Sequence, residues 1–505
     1  MGLSSVLSIL VFSPLLGIVF LALMPKGKGK AIKVVGFLFT LPALVLSLAT
    51  YLHYQAGKDL NDFSVSVPWI QFGGFKDTHH LFSVYYELGL SGFSLLLIVL
   101  TSIVATLAAI ASIYIKKEWK GFFMLFLLLE TGMLGVFTAQ NMILFFIFFE
   151  ITLIPTFFLV GKWGYFEKEK AAFSFLIYNG LGSAILLIVI MILFAKTGTT
   201  NIDQLHHFIN DKNVDMISPL SGQLKMGLFL GLLIAFGVKL PIFPLHTWML
   251  RVHVNAPIPT VMIHSGILLK IGAYGLITFG MGLFPEQFKQ VAVLLAILGV
   301  INLLYGAFLA FIQTDFKLVL AYSSISHMGI VLIGLAAMNE AGIQGAIFQI
   351  MSHGLISALL FFIVGVFYER TDTTDIPSLG GMAHGMPRAA GFLLAGGLAS
   401  LGLPGMSGFV SEFMAFLGLF QEMPVIAAVG TLGIIMTAAY LLRSVLGITY
   451  GKSHRDFNGI LDLKGVEFVP VVVLMILIVL IGVYPSILST PLRATLDTIM
   501  LGLGG

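Results

Sequence analysis

Apolar runs of about twenty residues, separated by short polar stretches, recur along the whole chain. A hydrocarbon core takes about 20 apolar residues per helix. On that rule the pattern predicts an all-α integral membrane protein of about fourteen spans, over 4–24, 31–54, 84–115, 121–139, 142–161, 171–195, 223–254, 257–282, 290–312, 318–337, 341–368, 388–420, 424–449 and 466–488. The seventh and twelfth are longer than a plain crossing needs, and each has proline near its middle: Pro241 with Pro244, and Pro404. Proline removes a backbone donor and clashes with the preceding turn, so both helices are expected to break. Irregular backbone at membrane depth is tolerated only where protein or water lines it.

The two breaks fall at matching places. With spans four to eight and nine to thirteen taken as five-helix blocks, each broken helix is fourth in its block, and the odd block length inverts the second block. Inverted repeats with discontinuous helices build transport paths near the membrane midplane. The expected units are three N-terminal helices (1–115), a first repeat (121–282), a second, inverted repeat (290–449) and a C-terminal helix (466–488).

Composition agrees: 58% of residues are hydrophobic, 10% are charged and the mean hydropathy is +1.02, which excludes a soluble globular protein. With no cysteine the chain holds no thiolate iron–sulfur cluster, and it has no Gly-rich dinucleotide or phosphate loop. No His, Cys and carboxylate cluster has metal-ligand spacing. A net charge of +3 is too small to point to nucleic acid, and the lipid bilayer is the expected surrounding. Residues 4–24 lack a basic lead and a small-residue cleavage site and read as a retained span.

The cations are unevenly placed. One set of loops holds only Lys58, Lys76, Lys196, Lys212, Lys225, Lys289 and Arg493. The opposite set holds the rest of the loop cations, from Lys26–Lys33 through Lys116, Lys117, Lys162, Lys168, Lys170, Arg370 and Arg443 to Arg455 and Lys464. The positive-inside rule puts this richer set in the cytoplasm and both termini outside, and Trp119 and Trp163 sit at cytoplasmic span ends as an aromatic belt would.

Against this apolar background the intramembrane ionisable residues stand out: Glu130, Glu150, Lys239, Lys270, Glu412, His264, His327 and His353. A charge at the bilayer centre costs about 2.5–3.5 kcal/mol on insertion scales, so such residues mark ion paths and face partners or water. Ammonium and carboxyl groups withdrawn from water can load and release protons, and imidazole can pass them between the two. Glu150, in NMILFFIFFEIT, is expected to pair with Lys239, either as a moving part or as a static lock between helices. Lys270 is mid-span in GILLKIGAYG with no acid nearby in sequence. Ser352 and Ser357 flank His353 and could support a relay. Glu412 lies eight residues beyond Pro404, towards the exterior half of the path. Glu130 and His327 are supporting candidates, and His264 a weaker one.

Several stretches in order, FFEITLIPTFFLVGKWG, GVKLPIFPLHTWM, GILLKIGAYGL, QTDFKLVLAYSSISHMG, IFQIMSHGLISALLFF and GLPGMSGFVSEF, resemble the antiporter-like subunits of respiratory complex I and of multi-subunit cation/proton antiporters. Glu412, where sister subunits tend to carry Lys, makes the chain most similar to the subunit M (chain 4) branch of NADH–quinone oxidoreductase. The resemblance implies a fourteen-helix membrane-arm subunit of a proton-translocating enzyme complex in the bacterial plasma membrane, beside sister antiporter-like subunits. It implies that quinone, FMN and iron–sulfur clusters are held by partner subunits and that this chain does no redox chemistry. It also assigns roles: Glu150 and Lys239 as the coupling ion pair, Lys270 as the central proton carrier, His353 as the bridge and Glu412 as the terminal proton site. Arg251, Asn255 and Asn141 depart from the family pattern near span ends. The alternatives are a subunit of a sodium/proton (Mrp-type) antiporter and a non-pumping membrane scaffold.

Overall fold

The computed structural model describes residues 3–72, 82–210, 220–452 and 460–503, so Lys76, Lys212 and Arg455 lie outside the described residues. Among the described residues, thirteen helices are long and apolar enough to cross a membrane. One more crossing, the twelfth in chain order, is made by two shorter helices, Pro387–Ser400 and Ser407–Glu422, separated at Leu401–Met406 where the sequence placed Pro404. The seventh crossing also breaks as expected, with Gly222–Lys239 ending just before Pro241 and Thr247–Asn255 following.

Two expected span limits need correction, and one short helix is added. The third span does not begin at 84: residues Val65–Phe72 (β1) and Phe82–Leu88 (β2) form an antiparallel hairpin, and the helix starts at Gly92. The alternating residues of FSVYYEL merge with the apolar run behind them, which hid the strand, while Ser91 and Ser94 make a capping box that fixes the true start. A short amphipathic helix, Ile202–Asn210, follows the sixth span. The C-terminal span ends at Val483, and a further helix, Ser486–Leu503, follows it.

Two places in the chain, one in each of the expected five-helix blocks, share the same local joint. Asn141 caps Met142–Trp163 by accepting from the Ile143 and Leu144 amides (3.0 and 3.4 Å), and Asp315 caps Phe316–Ala336 through Lys317 and Leu318 (2.8 and 3.3 Å). Each cap residue forms an isolated antiparallel bridge to the segment after the block's third helix, Asn141 with Asn201 and Asp315 with Asp375. The next amide closes the joint, Met142 to the Thr200 carbonyl (2.8 Å) and Phe316 to the Thr374 carbonyl (2.9 Å). Asn141 therefore does at its position what Asp315 does at the other.

Helices Ile258–Met281 and Glu340–Thr371 run through the centre of the bundle, wholly buried along their apolar stretches. The outer helices instead expose Phe20, Leu52, Ile188 and Ile435, as lipid-facing surfaces do. Cations assigned by sequence to one side meet at one end of the bundle. Lys33 donates to the carbonyls of Ile113 and Ile115 (3.1 and 3.2 Å), Lys116 pairs with Glu369 (2.9 Å), and Lys162 pairs with Glu118. That pairing holds the exposed Glu118 carboxyl below its ordinary range. Arg370 grips both Glu467 oxygens at 2.7 Å, and Tyr114 donates to the same carboxylate at 2.5 Å. This cluster joins the third, eleventh and fourteenth crossings.

Arg370→Ala leaves the largely buried Glu467 carboxylate with only Tyr114 and the Lys464 amide as partners and is expected to cost about 1–3 kcal/mol, the scale of a hydrogen bond lost from a buried charged group. The thermal unfolding midpoint in mild detergent should fall, and fall less for Glu467→Gln. An unchanged midpoint in both would contradict the assigned role.

Candidate functional site

Lys270 lies at the centre. Its helix widens to π turns at His264–Leu268 and again at Leu276–Met281, with Lys270 just past the first. The side chain is wholly buried; Nζ donates to the Ser265 carbonyl at 2.5 Å and lies 2.6 Å from Nδ1 of His353. No described carboxylate forms an ion pair with it. The close approach depends on glycine: a Cβ on Gly354 would lie 2.9 Å from the Gly266 carbonyl, so the two central helices meet backbone to backbone beside the Lys270–His353 contact.

From His353 the polar groups continue towards the second break. The rings of His353 and His327 are 5.4 Å apart between centroids. His327 Nδ1 lies 3.6 Å from Glu412 Oε1 and 3.0 Å from the Gln349 amide nitrogen, and its Nε2 lies 3.1 Å from Ser400 Oγ. Glu412 is buried in the first turns of Ser407–Glu422, with its other carboxylate oxygen against Gly402 in the gap. Gly402 is left-handed (φ +78°), and a Cβ there would come 2.6 Å from Glu412 Oε2. The gap therefore needs glycine for both its backbone and its contact. Ser352 hydrogen-bonds Ser407 across the same helix pair (2.7 Å), whereas Ser357 turns back to its own helix at the Gly354 carbonyl.

On the other side, the expected Glu150–Lys239 contact is absent. Lys239 Nζ has no hydrogen-bond partner and lies 4.7 Å above the Phe149 ring and 5.6 Å from that of Phe175; Glu150 Oε1 is likewise unpartnered. Consecutive helical residues point about 100° apart. Lys239 faces the Phe149 side, and the aromatic face supplies the attraction an acid would have supplied. Glu150 remains within electrostatic reach of it.

The backbone freed by the first break is re-satisfied by side chains. The Asn302 amide donates to the Pro241 carbonyl (3.1 Å) and its oxygen accepts the Phe243 amide (2.7 Å), while Trp248 Nε1 takes the Val238 carbonyl (3.1 Å). Trp248 and Phe175 both pack on His264, and His264 Nδ1 meets His253 Nε2 at 2.9 Å, both rings wholly buried. His264 lies within electrostatic reach of both Lys239 and Lys270, and His253 within reach of Lys270. Hydropathy and spacing point only weakly to His264 and not at all to His253, Ser400, Ser411 or Gln349, whose partners come from other helices. Glu130 is wholly buried with both oxygens unpartnered and makes no hydrogen bond to the rest of the set. Of the departures, Asn255 joins the segment before Lys168–Thr197 by accepting the Glu167 amide (2.9 Å), and Arg251 is exposed.

Residues 139–437, which carry every one of these groups except Glu130, match the family described as NADH:quinone oxidoreductase/Mrp antiporter, TM. The chain belongs to that family. It is 37% identical to NAD(P)H-quinone oxidoreductase chain 4 2 of Thermosynechococcus vestitus, over 98% of this chain and 91% of that one. It is 35% identical to NADH-quinone oxidoreductase subunit M of Rhodobacter capsulatus, over 96% and 94%. A chain of respiratory complex I from Thermus thermophilus superimposes with a TM-score of 0.87 at 28% identity, covering 99% of this chain and 100% of that one. A chain of the Mrp complex from a Dietzia species shares the fold, with a TM-score of 0.83 at 21% identity over 100% and 99% of the two chains.

Gly402→Ala is expected to displace the Glu412 carboxylate as well as strain the backbone by about 1–2 kcal/mol. Gly405 is also left-handed (φ +91°) but faces open space, so Gly405→Ala carries the backbone cost alone. Proton translocation by the assembled complex should fall further for Gly402→Ala than for Gly405→Ala; equal losses would remove the contact from the account.

Proposed function

We propose that this chain is a proton-translocating membrane-arm subunit of an NADH–quinone oxidoreductase type complex, with Lys270, His353, His327 and Glu412 as its proton relay. The observation that carries the reading is the succession of titratable groups through the bundle centre: Lys270 to His353 at 2.6 Å, His353 to His327 at 5.4 Å between rings, and His327 to Glu412 at 3.6 Å. A static scaffold has no use for a lysine whose polar neighbours are a carbonyl and an imidazole. The near-full-length relatives named as quinone oxidoreductase subunits support redox drive. The Mrp likeness, at 21% identity, extends to the fold.

In this reading the two blocks are inverted repeats, and their matched joints support that arrangement. The chain sits in a bacterial plasma membrane with both termini outside. Its partners are sister antiporter-like subunits and the redox subunits that carry quinone, FMN and iron–sulfur clusters. Quinone reduction in those subunits drives Glu150 and Lys239 between an associated and a separated arrangement. In the separated arrangement the Lys239 charge acts through the His264–His253 pair on the proton held at Lys270. That proton passes by way of His353 and His327 to Glu412 and then outward. Moving one charge against 100 mV takes about 2.3 kcal/mol, and losing one partner of a desolvated ion pair costs about 3–5 kcal/mol, so the lever is adequate in size.

Lys270→Ala should leave the complex assembled and lower proton transfer through this subunit by about 10²-fold or more, the scale of a lost general acid–base group. Glu150→Gln should uncouple quinone reduction from translocation. Proton yield per quinone, measured in vesicles, tests both; a wild-type yield in either assembled variant removes that residue from the mechanism.

A further inference from the structure

His327 Nδ1 has two neighbours that ask opposite things of it. Glu412 Oε1, 3.6 Å away, is an acceptor and needs a proton on that nitrogen. The Gln349 amide nitrogen, 3.0 Å away, is a donor and needs its lone pair. Gln349 is held from behind, because its carbonyl oxygen accepts the Ser411 hydroxyl at 2.5 Å, and Ser411 is the residue before Glu412. Gln349, Ser411 and His327 are all buried, so water does not compete for these bonds. With the amide on Nδ1, the ring is neutral and its proton sits on Nε2, against Ser400 Oγ.

That tautomer is the one left behind when a proton has been delivered. A ring protonated at Nδ1 takes a proton at Nε2 from protonated His353, whose N–H bond breaks, and gives its Nδ1 proton to the Glu412 carboxylate, where an O–H bond forms; His353 and His327 both end neutral, the latter with its Nδ1 lone pair free. A proton returning from Glu412 must bind that same lone pair. The other titratable groups near the ring are His353 and Lys270; Tyr440 is within electrostatic reach of Glu412, and its hydroxyl is engaged with Ser323 (2.7 Å).

Building on the relay proposed above, we propose that Gln349 is a positioning residue that acts as a one-way catch: its amide N–H occupies the His327 Nδ1 lone pair after delivery and blocks return of the proton from Glu412. Resetting turns the ring, so that the nitrogen carrying its proton faces Glu412, and turns the amide over, so that its oxygen accepts that N–H and its NH₂ faces Ser411; no covalent bond changes in this step. A serine hydroxyl both donates and accepts, so either orientation satisfies both ends. Ser411 thereby links the catch to the helix that carries the terminal carboxylate.

The test uses the whole assembled complex in proteoliposomes, with proton translocation measured at zero and at an opposing membrane potential. Gln349→Met keeps the side chain's length but removes the amide. It should raise back-transfer about three- to tenfold, the equivalent of one ordinary hydrogen bond, and so lower the ratio of translocation at opposing potential to that at zero. Ser411→Ala, with little change in volume, frees the amide's other end and should lower the ratio less; it also reads the proposal if the methionine variant fails to assemble. Wild-type ratios in the assembled variants overturn the catch. Glu412→Gln separates the two levels: retained translocation in that variant refutes the relay itself, whereas its loss alongside wild-type ratios in the other two refutes the catch alone.

Discussion

A lysine side chain in the middle of a membrane bundle, its Nζ held by a backbone carbonyl and a histidine with no carboxylate paired to it among the described residues, is the contact on which the rest of the arrangement depends. It requires a helix loosened by π turns, so that the Ser265 carbonyl can reach the side chain five residues on. It requires Gly266 and Gly354, so that two central helices approach closely enough to bring Lys270 and His353 within 2.6 Å. It also requires enclosure, which the outer helices provide by turning apolar faces outward and burying the central pair. An uncompensated cation in such a place is costly, and that cost is what lets a small electrostatic change move its proton.

The broken helices serve this centre from either side. At the first break, Asn302 and Trp248 take up the freed backbone groups, which lets Lys239 end a helix inside the bundle. A Cβ on Gly272 would meet the Leu240 amide nitrogen at 2.5 Å, so the helix carrying Lys270 presses directly on that break. At the second, left-handed Gly402 makes room for the Glu412 carboxylate. The two breaks thus place one cation and one acid on opposite flanks of the lysine, with a histidine pair on each side: His264 with His253, and His353 with His327.

Much of this was legible in the sequence, because hydropathy and proline act locally. The crossings followed from apolar run length, the two breaks from Pro241 and Pro404, and the ionisable residues from their rarity. What escaped depends on contacts between distant segments or on short-range ambiguity. Strand β2 was absorbed into the span behind it because its alternating residues are mostly apolar. Lys239 settled over Phe149 and not against Glu150, since a one-residue step on a helix changes the face presented. The π turns leave no mark in hydropathy. His253 and Gln349 matter only through their partners on other helices, His264, His327 and Ser411, which no periodicity reveals.

The most direct test of the relay is the number of protons moved per quinone reduced by the assembled complex carrying His327→Leu, the link between the wider gap and the terminal acid. The account predicts a yield lowered by this subunit's share while quinone reduction continues. A wild-type yield would show that protons do not pass through His327, and would contradict the path from Lys270 to Glu412.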